Sequence, residues 1–476
     1  MPPPHPSLSL GWPDGVGMVQ ENQGTFIPGS GPGQRRNIYY GWYVVITAMF
    51  IAGVTTGARN GFGVFVIPMS DDLGFTRTGI SIAAGIGWLM NGITQPLVGH
   101  LFDKFNSRKV ILISLLVAGL ATAGLSLTFH LYFLIFLFSF VLSTAMSGAS
   151  IGTLMPLLAR WFVKRRTLVL GLVASGSSIG GMVLIIFSGY LVALFGWEVS
   201  WITLGAIVAV LAVPLGFVFL RNNPTEMGLL PDGDPEPADG ASPPPARQRG
   251  LFEVEQWYHS FRSPPIWNLS AAYTVCGITV GLLSVHFVPY ADGQLGVDPT
   301  MAATIFGVLT GLNTIGAIGG GWLADRFGRK NVLGTVYSVR CLAYLVLIGG
   351  LIAVERSIAI PLIGSAALPS LWIFAILAGF SWIASVPITA SLTAEVYGLR
   401  ALATISGISF LCHQVGAFIS IILGGVLYDL TGSYLLPFSI AAACLVPAAI
   451  AAYTINEKKY SVRYQTAPAA GAAAGD

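Results

Sequence analysis

The sequence predicts an all-α membrane protein with twelve transmembrane helices in two pseudo-symmetric six-helix bundles. Three observations lead there. First, 54% of the 476 residues are hydrophobic and only 9% are charged. A water-soluble domain carries about 25% charged residues, so this chain cannot clothe a surface that faces water. Its apolar residues come in runs of roughly 20, the length that crosses a bilayer as helix. Second, one polar motif occurs twice, 222 positions apart, each time after an apolar run. The copies are Gly99-His100-Leu101-Phe102-Asp103-Lys104-Phe105-Asn106-Ser107-Arg108 and Gly321-Trp322-Leu323-Ala324-Asp325-Arg326-Phe327-Gly328-Arg329-Lys330. Both read G-x-x-x-D-[RK]-x-[GN]-x-[RK]. A polar motif duplicated between apolar stretches marks two homologous membrane halves around a shared site. Third, Lys and Arg fall almost wholly in alternate loops.

The elements follow in order. Residues 1–36 are rich in Pro and Gly, lack periodicity and read as a disordered cytoplasmic tail. Six apolar spans near 38–66, 78–101, 110–129, 131–158, 167–195 and 199–220 make an N-terminal bundle over 37–220. The polar, Pro-rich stretch 221–264 reads as a flexible cytoplasmic linker, and 251–261 within it as a short interfacial helix. Six more spans near 265–291, 300–324, 332–353, 366–394, 402–427 and 434–455 make a C-terminal bundle over 265–456. Residues 457–476 form a small-residue cytoplasmic tail. The repeat extends past the motif: Leu73-Gly74 matches Leu295-Gly296 and Asn91 matches Asn313 at offset 222. In later spans Gly180 matches Gly416 and Gly189 matches Gly425 at offset 236. The 58 glycines suit close packing of membrane helices. Strand-like alternation is absent, which excludes a transmembrane barrel.

With both termini cytoplasmic, alternate loops hold 20 of the 24 Lys and Arg residues, and the opposite loops hold only Arg77 and Arg356. Arg59 and Arg340 lie within spans. This asymmetry orients the chain and requires an even number of helices. No basic n-region precedes an apolar h-region at the N-terminus, so no cleaved signal peptide is expected. Cys276, Cys341, Cys412 and Cys444 lie in apolar runs without metal-ligand spacing and read as small core residues.

The duplicated motif resembles that of major facilitator superfamily transporters, and the resemblance covers roughly residues 38–456. Trp161-Phe162-Val163-Lys164-Arg165-Arg166-Thr167-Leu168, leading into Gly171, Gly176 and Gly180, resembles the monocarboxylate-porter signature. It departs at Trp161, Val169, Val173 and Ser175. Asn223-Pro224-Thr225-Glu226-Met227-Gly228 resembles bacterial members that include oxalate/formate antiporter relatives. Only Gly41-Trp42 survives from the first-helix signature of animal monocarboxylate transporters. Those relatives carry an Asp and an Arg on the eighth helix, where this chain has Asn313 and Ala317, so that anion site does not carry over. The resemblance implies that the duplicated loops latch the cytoplasmic side and break during alternation. Its latch residues are Gly99, Asp103, Arg108, Arg160, Lys164, Arg166, Gly321, Asp325, Arg326 and Arg329. Asp103 and Asp325 would accept hydrogen bonds from the basic neighbours. A purely topogenic basic cluster is the plainer reading of the same residues.

The candidate substrate-binding residues are polar groups inside apolar spans. Arg59 stands out, because an Arg at the membrane centre costs about 2.5–3.5 kcal/mol even on a lenient scale. A guanidinium holds a carboxylate through two parallel bonds; snorkelling or a structural pair is the alternative. Arg340 lies nearer the motif and reads as a snorkelling or helix-tying residue. Asn91, Gln95 and Asn313 place neutral amides on the second and eighth helices, where lining a cavity and bonding helices are equal readings. Trp382 is a candidate cavity wall or a packing residue. His286 and His413, the latter beside Gln414, are candidates for a coupling proton, with a satisfied core histidine as the alternative.

The function this supports is secondary active transport of a small organic anion, a monocarboxylate by resemblance, through alternating access with proton symport or anion exchange. Its expected partners are that substrate, protons and membrane lipids, with no nucleic acid, no cofactor and a monomeric state. An exporter of drugs or metabolites with the same fold is the second reading. Cationic drugs need a mid-membrane carboxylate, and no Asp or Glu sits at mid-depth of a span. A membrane sensor or receptor is the third, and would bring a soluble output domain. An enzyme is not expected: no nucleophile–base arrangement, metal cluster or phosphate loop is present.

Overall fold

The computed structural model describes residues 38–162, 166–233, 257–357, 359–360, 364–397 and 402–456. Helices dominate. In chain order they are α1 (Gly41–Asn60), α2 (Val66–Leu73), α3 (Arg77–Lys104), α4 (Ser107–Gly124), α5 (Leu131–Leu134), α6 (Ser143–Gly148), α7 (Ile151–Trp161) and α8 (Arg166–Ala206). Then come α9 (Val213–Phe219), α10 (Pro264–Gly293), α11 (Pro299–Phe327), α12 (Arg329–Glu355), α13 (Ala367–Trp382), α14 (Ser385–Tyr397), α15 (Leu402–Thr431) and α16 (Leu435–Thr454). The tails 1–36 and 457–476, the linker from 234 to 256 and the site residue Lys164 lie outside the described residues. Of the interfacial helix expected at 251–261, the described part is a 3-10 helix over Trp257–Arg262.

The helix ends follow local chemistry. Thr76 caps α3 by accepting from Gly79 N at 3.0 Å, and Asn106 caps α4 by accepting from Lys109 N at 3.1 Å. α2 ends at Gly74, with φ of 66°, and Gly296 just after α10 has φ of 64°. Left-handed backbone suits glycine, so the Leu-Gly pair repeated in the sequence is the same helix stop used twice. Within α8, Gly196 breaks the helix at φ 80° and ψ 171°. A π-helical segment, Ile135–Leu142, joins α5 to α6. One small departure from the sequence reading is an antiparallel pair, β1 (Ala359–Ile360) and β2 (Gly364–Ser365), in the loop after α12.

Ten helical stretches among the described residues are long and apolar enough to cross a membrane. The outer surface is apolar: Leu194 is 71% exposed and Val210 66%. The interior holds polar side chains: His286 and Gln414 are fully buried, and Asn91, Asn313 and Arg340 nearly so. That is the reverse of a water-soluble protein, and it fits a chain whose solvent is lipid. The protein is therefore an all-α, multi-span membrane protein.

α1 packs along α8, α10 along α15, α3 along α15, and α8 along α11. Glycines set these contacts, and the contacts repeat. A Cβ on Gly180 would collide with Gly53 of α1; one on Gly416 would collide with the Thr274 carbonyl of α10. A Cβ on Gly189 would meet Ala303 at 2.6 Å, and one on Gly425 would meet Ser81 Cβ at 2.8 Å. Gly85 faces Phe418 and Ile422, while Gly307 faces Met182 and Ile186. Shifting by 222 or 236 positions turns the Gly85 and Gly189 contacts into those of Gly307 and Gly425, and Gly53 against Gly180 becomes Thr274 against Gly416 at offsets of 221 and 236.

Candidate functional site

A polar network joins α1, α3, α6 and α15. Arg59 lies at the end of α1, with its guanidinium 3.9 Å over the Trp88 ring of α3. Its Nη1 donates to Asn91 Oδ1 at 3.0 Å, and its Nη2 is buried without a partner. Asn91 Oδ1 also accepts from Gln414 Nε2 of α15 at 3.0 Å. Asn91 Nδ2 donates to Ser147 Oγ at 2.8 Å and to the Ser143 carbonyl at 3.3 Å. Gln414 Nε2 donates to the Trp88 carbonyl at 3.2 Å, and His413 Nδ1 lies 3.1 Å from Gln414 Oε1. Trp88 is one helical turn before Asn91, so both point to the same face of α3.

Four of the sequence-selected residues thus converge: Arg59, Asn91, His413 and Gln414. Gln95 is one turn further along α3 and reaches Ser150 Oγ at 3.5 Å. Asn313 is buried on α11, and its Oδ1 has no partner. The Trp382 ring packs edge-on against Phe306, with centroids 5.9 Å apart. His286 belongs to a second network. Its Nε2 lies 2.9 Å from the Ile421 carbonyl, its Nδ1 3.1 Å from Tyr434 Oη, and Ser81 Oγ is 3.4 Å from Nε2. Since a carbonyl only accepts, Nε2 carries the hydrogen and Nδ1 accepts from Tyr434. Nearby, Thr78 N donates to Asp429 Oδ2 at 2.8 Å.

Arg340 does not snorkel; it ties helices. Its Nη2 donates to the Ser381 and Trp382 carbonyls, the unsatisfied C-terminal groups of α13. Its Nη1 donates to Cys276 Sγ at 3.2 Å and Thr279 Oγ1 at 3.3 Å on α10. Helix-tying was one of the two readings the sequence offered for Arg340; Trp88 and Cys276 were passed over because aromatics and thiols are ordinary core residues.

Around the first motif, Arg160 Nη1 donates to Ser107 Oγ at 3.2 Å. Arg108 N donates to Asn222 Oδ1 at 2.8 Å, and Arg108 Nη2 to the Phe217 carbonyl. Asn222 is steadied by Glu226, whose Oε1 accepts from Asn222 Nδ2 at 2.8 Å. The Asn223–Gly228 segment therefore braces the first motif, a role its spacing did not announce. At the second motif Arg329 pairs with Glu395 of α14, and Arg326 lies over the Trp322 ring at 5.7 Å. A Cβ on Gly321 would meet open space, so close helix approach does not explain that glycine here. The side chains of Gly99, Asp103, Arg166 and Asp325 lie outside the described residues. An apolar groove lined by Leu282, Leu423, Gly424 and Pro437 between α10, α15 and α16 has one hydroxyl, Ser420, and offers no anchor for an anion. Among the described residues no three His, Cys, Asp or Glu side chains gather as a metal site.

Comparison with known families settles the class. The family model described as Major Facilitator Superfamily matches residues 48–420 and 295–473. The chain belongs to the major facilitator superfamily. It is thus a secondary transporter rather than an enzyme. This superfamily member is 26% identical over 410 residues to the uncharacterized MFS-type transporter YcxA of Bacillus subtilis (strain 168), covering 85% of this chain and 92% of that one. It is 26% identical over 414 residues to monocarboxylate transporter 13 of Bos taurus, covering 86% and 87%. Among solved structures it resembles a bacterial homolog of the human lysosomal transporter Spinster, inward-facing and unoccupied, with TM-score 0.65 and 15% identity. That likeness covers 92% of this chain and 100% of the other, and it concerns the fold.

Proposed function

We propose that this superfamily member moves a small organic anion, a monocarboxylate, by alternating access with proton symport or anion exchange. Arg59 carries the proposal. It is a guanidinium within a span, its Nη2 is buried and unpartnered, and its protein contacts are a neutral amide and an indole. A cation so placed needs a counter-charge, and a carboxylate supplies one with bidentate geometry. The monocarboxylate transporters among its relatives support the substrate class.

We read twelve crossings in two six-helix bundles, 37–220 and 265–456, joined by the cytoplasmic linker 221–264. The Gly196 break divides Leu168–Phe219 into two crossings, and α3, at 28 residues, adds one more to the ten. At about 1.5 Å per residue α3 exceeds the hydrocarbon thickness of a bilayer. The Lys and Arg asymmetry supports cytoplasmic termini in the cell membrane. Contacts between the bundles at the end away from the motifs support a conformation open toward the motif side. They include Thr78 with Asp429, Ser81 with His286, and Gly63 against the Ser284 and Val285 carbonyls.

Uptake of a panel of radiolabelled carboxylates into proteoliposomes tests the reading. At least one monocarboxylate is expected to accumulate faster than into protein-free vesicles and to be displaced by other carboxylates but not by organic cations. Uptake of none, with or without a pH gradient or internal anion, would defeat the anion proposal.

A further inference from the structure

His286 is sealed where the two sequence halves meet, at the end away from the motifs. It is fully buried, yet a histidine that water reaches binds a proton near neutral pH. Two adjacent glycines of α15 make the seal. A Cβ on Gly424 would lie 2.7 Å from His286 Cδ2 and Nε2, and one on Gly425 would lie 2.8 Å from Ser81 Cβ of α3. The imidazole of one half and the serine of the other fit against neighbouring residues of a single helix.

Every hydrogen bond of the ring in this arrangement belongs to its neutral form. Nε2 donates to the Ile421 carbonyl at 2.9 Å, with Ser81 Oγ at 3.4 Å, and Nδ1 accepts from Tyr434 Oη at 3.1 Å. Ser81 Oγ gives its own hydrogen to the Arg77 carbonyl at 2.6 Å, so it faces Nε2 as an acceptor. A second proton, on Nδ1, would turn the Tyr434 hydroxyl away from its acceptor. It would also place a charge in a closed seam with no carboxylate bonded to it, and a charge buried in that way is costly.

The charged and titratable groups around the ring do not relieve that cost. α3 brings Arg77, a second cation, whose guanidinium lies 5.7 Å from the centre of the Tyr428 ring with Nη1 buried and unpartnered. α15 brings Tyr428 and Asp429, and Asp429 Oδ2 already accepts from Thr78 N at 2.8 Å. α16 brings Tyr434. α10 itself carries Tyr290, whose hydroxyl donates to the Leu347 carbonyl at 2.9 Å, and Asp292 in its last turn. α2 ends near Asp71 and Asp72, the latter accepting from Trp197 Nε1 at 2.7 Å. α11 is entered by Asp298, whose Oδ1 accepts from Met301 N at 3.0 Å. Glu395 of α14 pairs with Arg329 at the motif end. The Gly61–Phe65 segment that packs on α10 has no ionisable side chain.

We propose that His286 is a binding site for a proton from the medium at the end away from the motifs, and that taking up this proton opens the transporter there. The neutral ring seals the halves. The charged ring needs water, which reaches it when α3 and α15 part. A ligand that binds one of two states better shifts the balance toward that state. The inference rests on the alternating-access reading above and does not need the substrate to be an anion.

Two measurements test it. Spin labels on Leu127→Cys, just after α4, and Leu430→Cys, near the end of α15, sit on exposed positions of the two halves at that end. With the four native cysteines replaced by Ala, they report how far apart the halves stand. In the purified full chain without substrate, the distance distribution is expected to move to longer values as pH is lowered. The movement is expected to be lost in His286→Gln and kept in Asp429→Asn. No movement in the labelled parent, the same movement in His286→Gln, or its loss in Asp429→Asn alone overturns the proposal. The second measurement keeps the native cysteines and uses proteoliposomes. Exchange of a transported carboxylate at equal pH on both sides is expected to quicken on acidification, and His286→Gln is expected to lose that acceleration. A His286→Gln profile with the wild-type pH dependence also overturns the proposal. Acid-driven opening in a protein that exchanges no carboxylate leaves the gate proton standing and removes the anion reading instead.

Discussion

Arg59 is held by its neighbours without being neutralised by them. Trp88 offers the face of its ring and Asn91 a carbonyl oxygen, and neither carries a formal charge. Losing a hydrogen bond to a charged group costs about 1.5–3 kcal/mol, roughly ten- to a hundredfold in affinity. Arg59→Gln is therefore expected to weaken carboxylate binding by about that factor, with the protein still monodisperse. Arg59→Lys is expected to recover only part, because an ammonium cannot reproduce the guanidinium fork. Equilibrium binding on purified variants checks both, and wild-type affinity in Arg59→Gln would make Arg59 structural. At this scale the sequence was informative by residue type and silent about distance. Arg59, Asn91, His413 and Gln414 were legible as polar groups in apolar runs, where each must find a partner. That Gln414 meets Asn91 across 323 residues was not legible, since no local pattern encodes a contact between distant helices. Cys276 and Trp88 were hidden by their chemistry, which suits a core equally well.

The helices owe their arrangement to glycines placed where one backbone touches another. At Gly180 the neighbour is the backbone of Gly53, which has no side chain to move aside. In an open helix interior Gly→Ala gains up to about 1 kcal/mol from propensity. Forced contact reverses the sign, and overpacking costs about 1–3 kcal/mol. Gly180→Ala is expected to lower the thermal stability of the detergent-purified protein. Gly321→Ala, facing open space, is expected to leave it unchanged or raise it. Differential scanning fluorimetry distinguishes the two, and equal behaviour would remove the close-packing explanation. The repeat was readable because helix stops and helix contacts recur with fixed offsets, as Gly74 and Gly296 or Gly189 and Gly425 do. The π segment Ile135–Leu142 was not readable, because its all-apolar sequence would serve an ordinary helix equally well. The β1–β2 pair was missed for a similar reason: two residues per strand are too few to show alternation.

Across the whole molecule, the contacts that join the two sequence halves repeat in register. Ser81 meets Gly425 as Ala303 meets Gly189, and Gly85 meets Phe418 and Ile422 as Gly307 meets Met182 and Ile186. Alternating access requires some of these contacts to part, since a carrier cannot release its substrate on both sides from one arrangement. The Ser81–Gly425 contact offers a direct test. A Cβ on Gly425 would lie 2.8 Å from Ser81 Cβ, and a disulfide needs about 3.5–4.5 Å, so a small outward shift accommodates the bond. The double variant Ser81→Cys, Gly425→Cys is expected to cross-link under mild oxidation and to stop transport, and reduction of the same sample is expected to restore it. The cross-linked protein is still expected to bind a carboxylate, because Arg59, Asn91 and Gln414 lie outside the bond. Transport in the cross-linked form at the rate of its reduced form would mean that these contacts never part, and the alternating-access reading would fall with them.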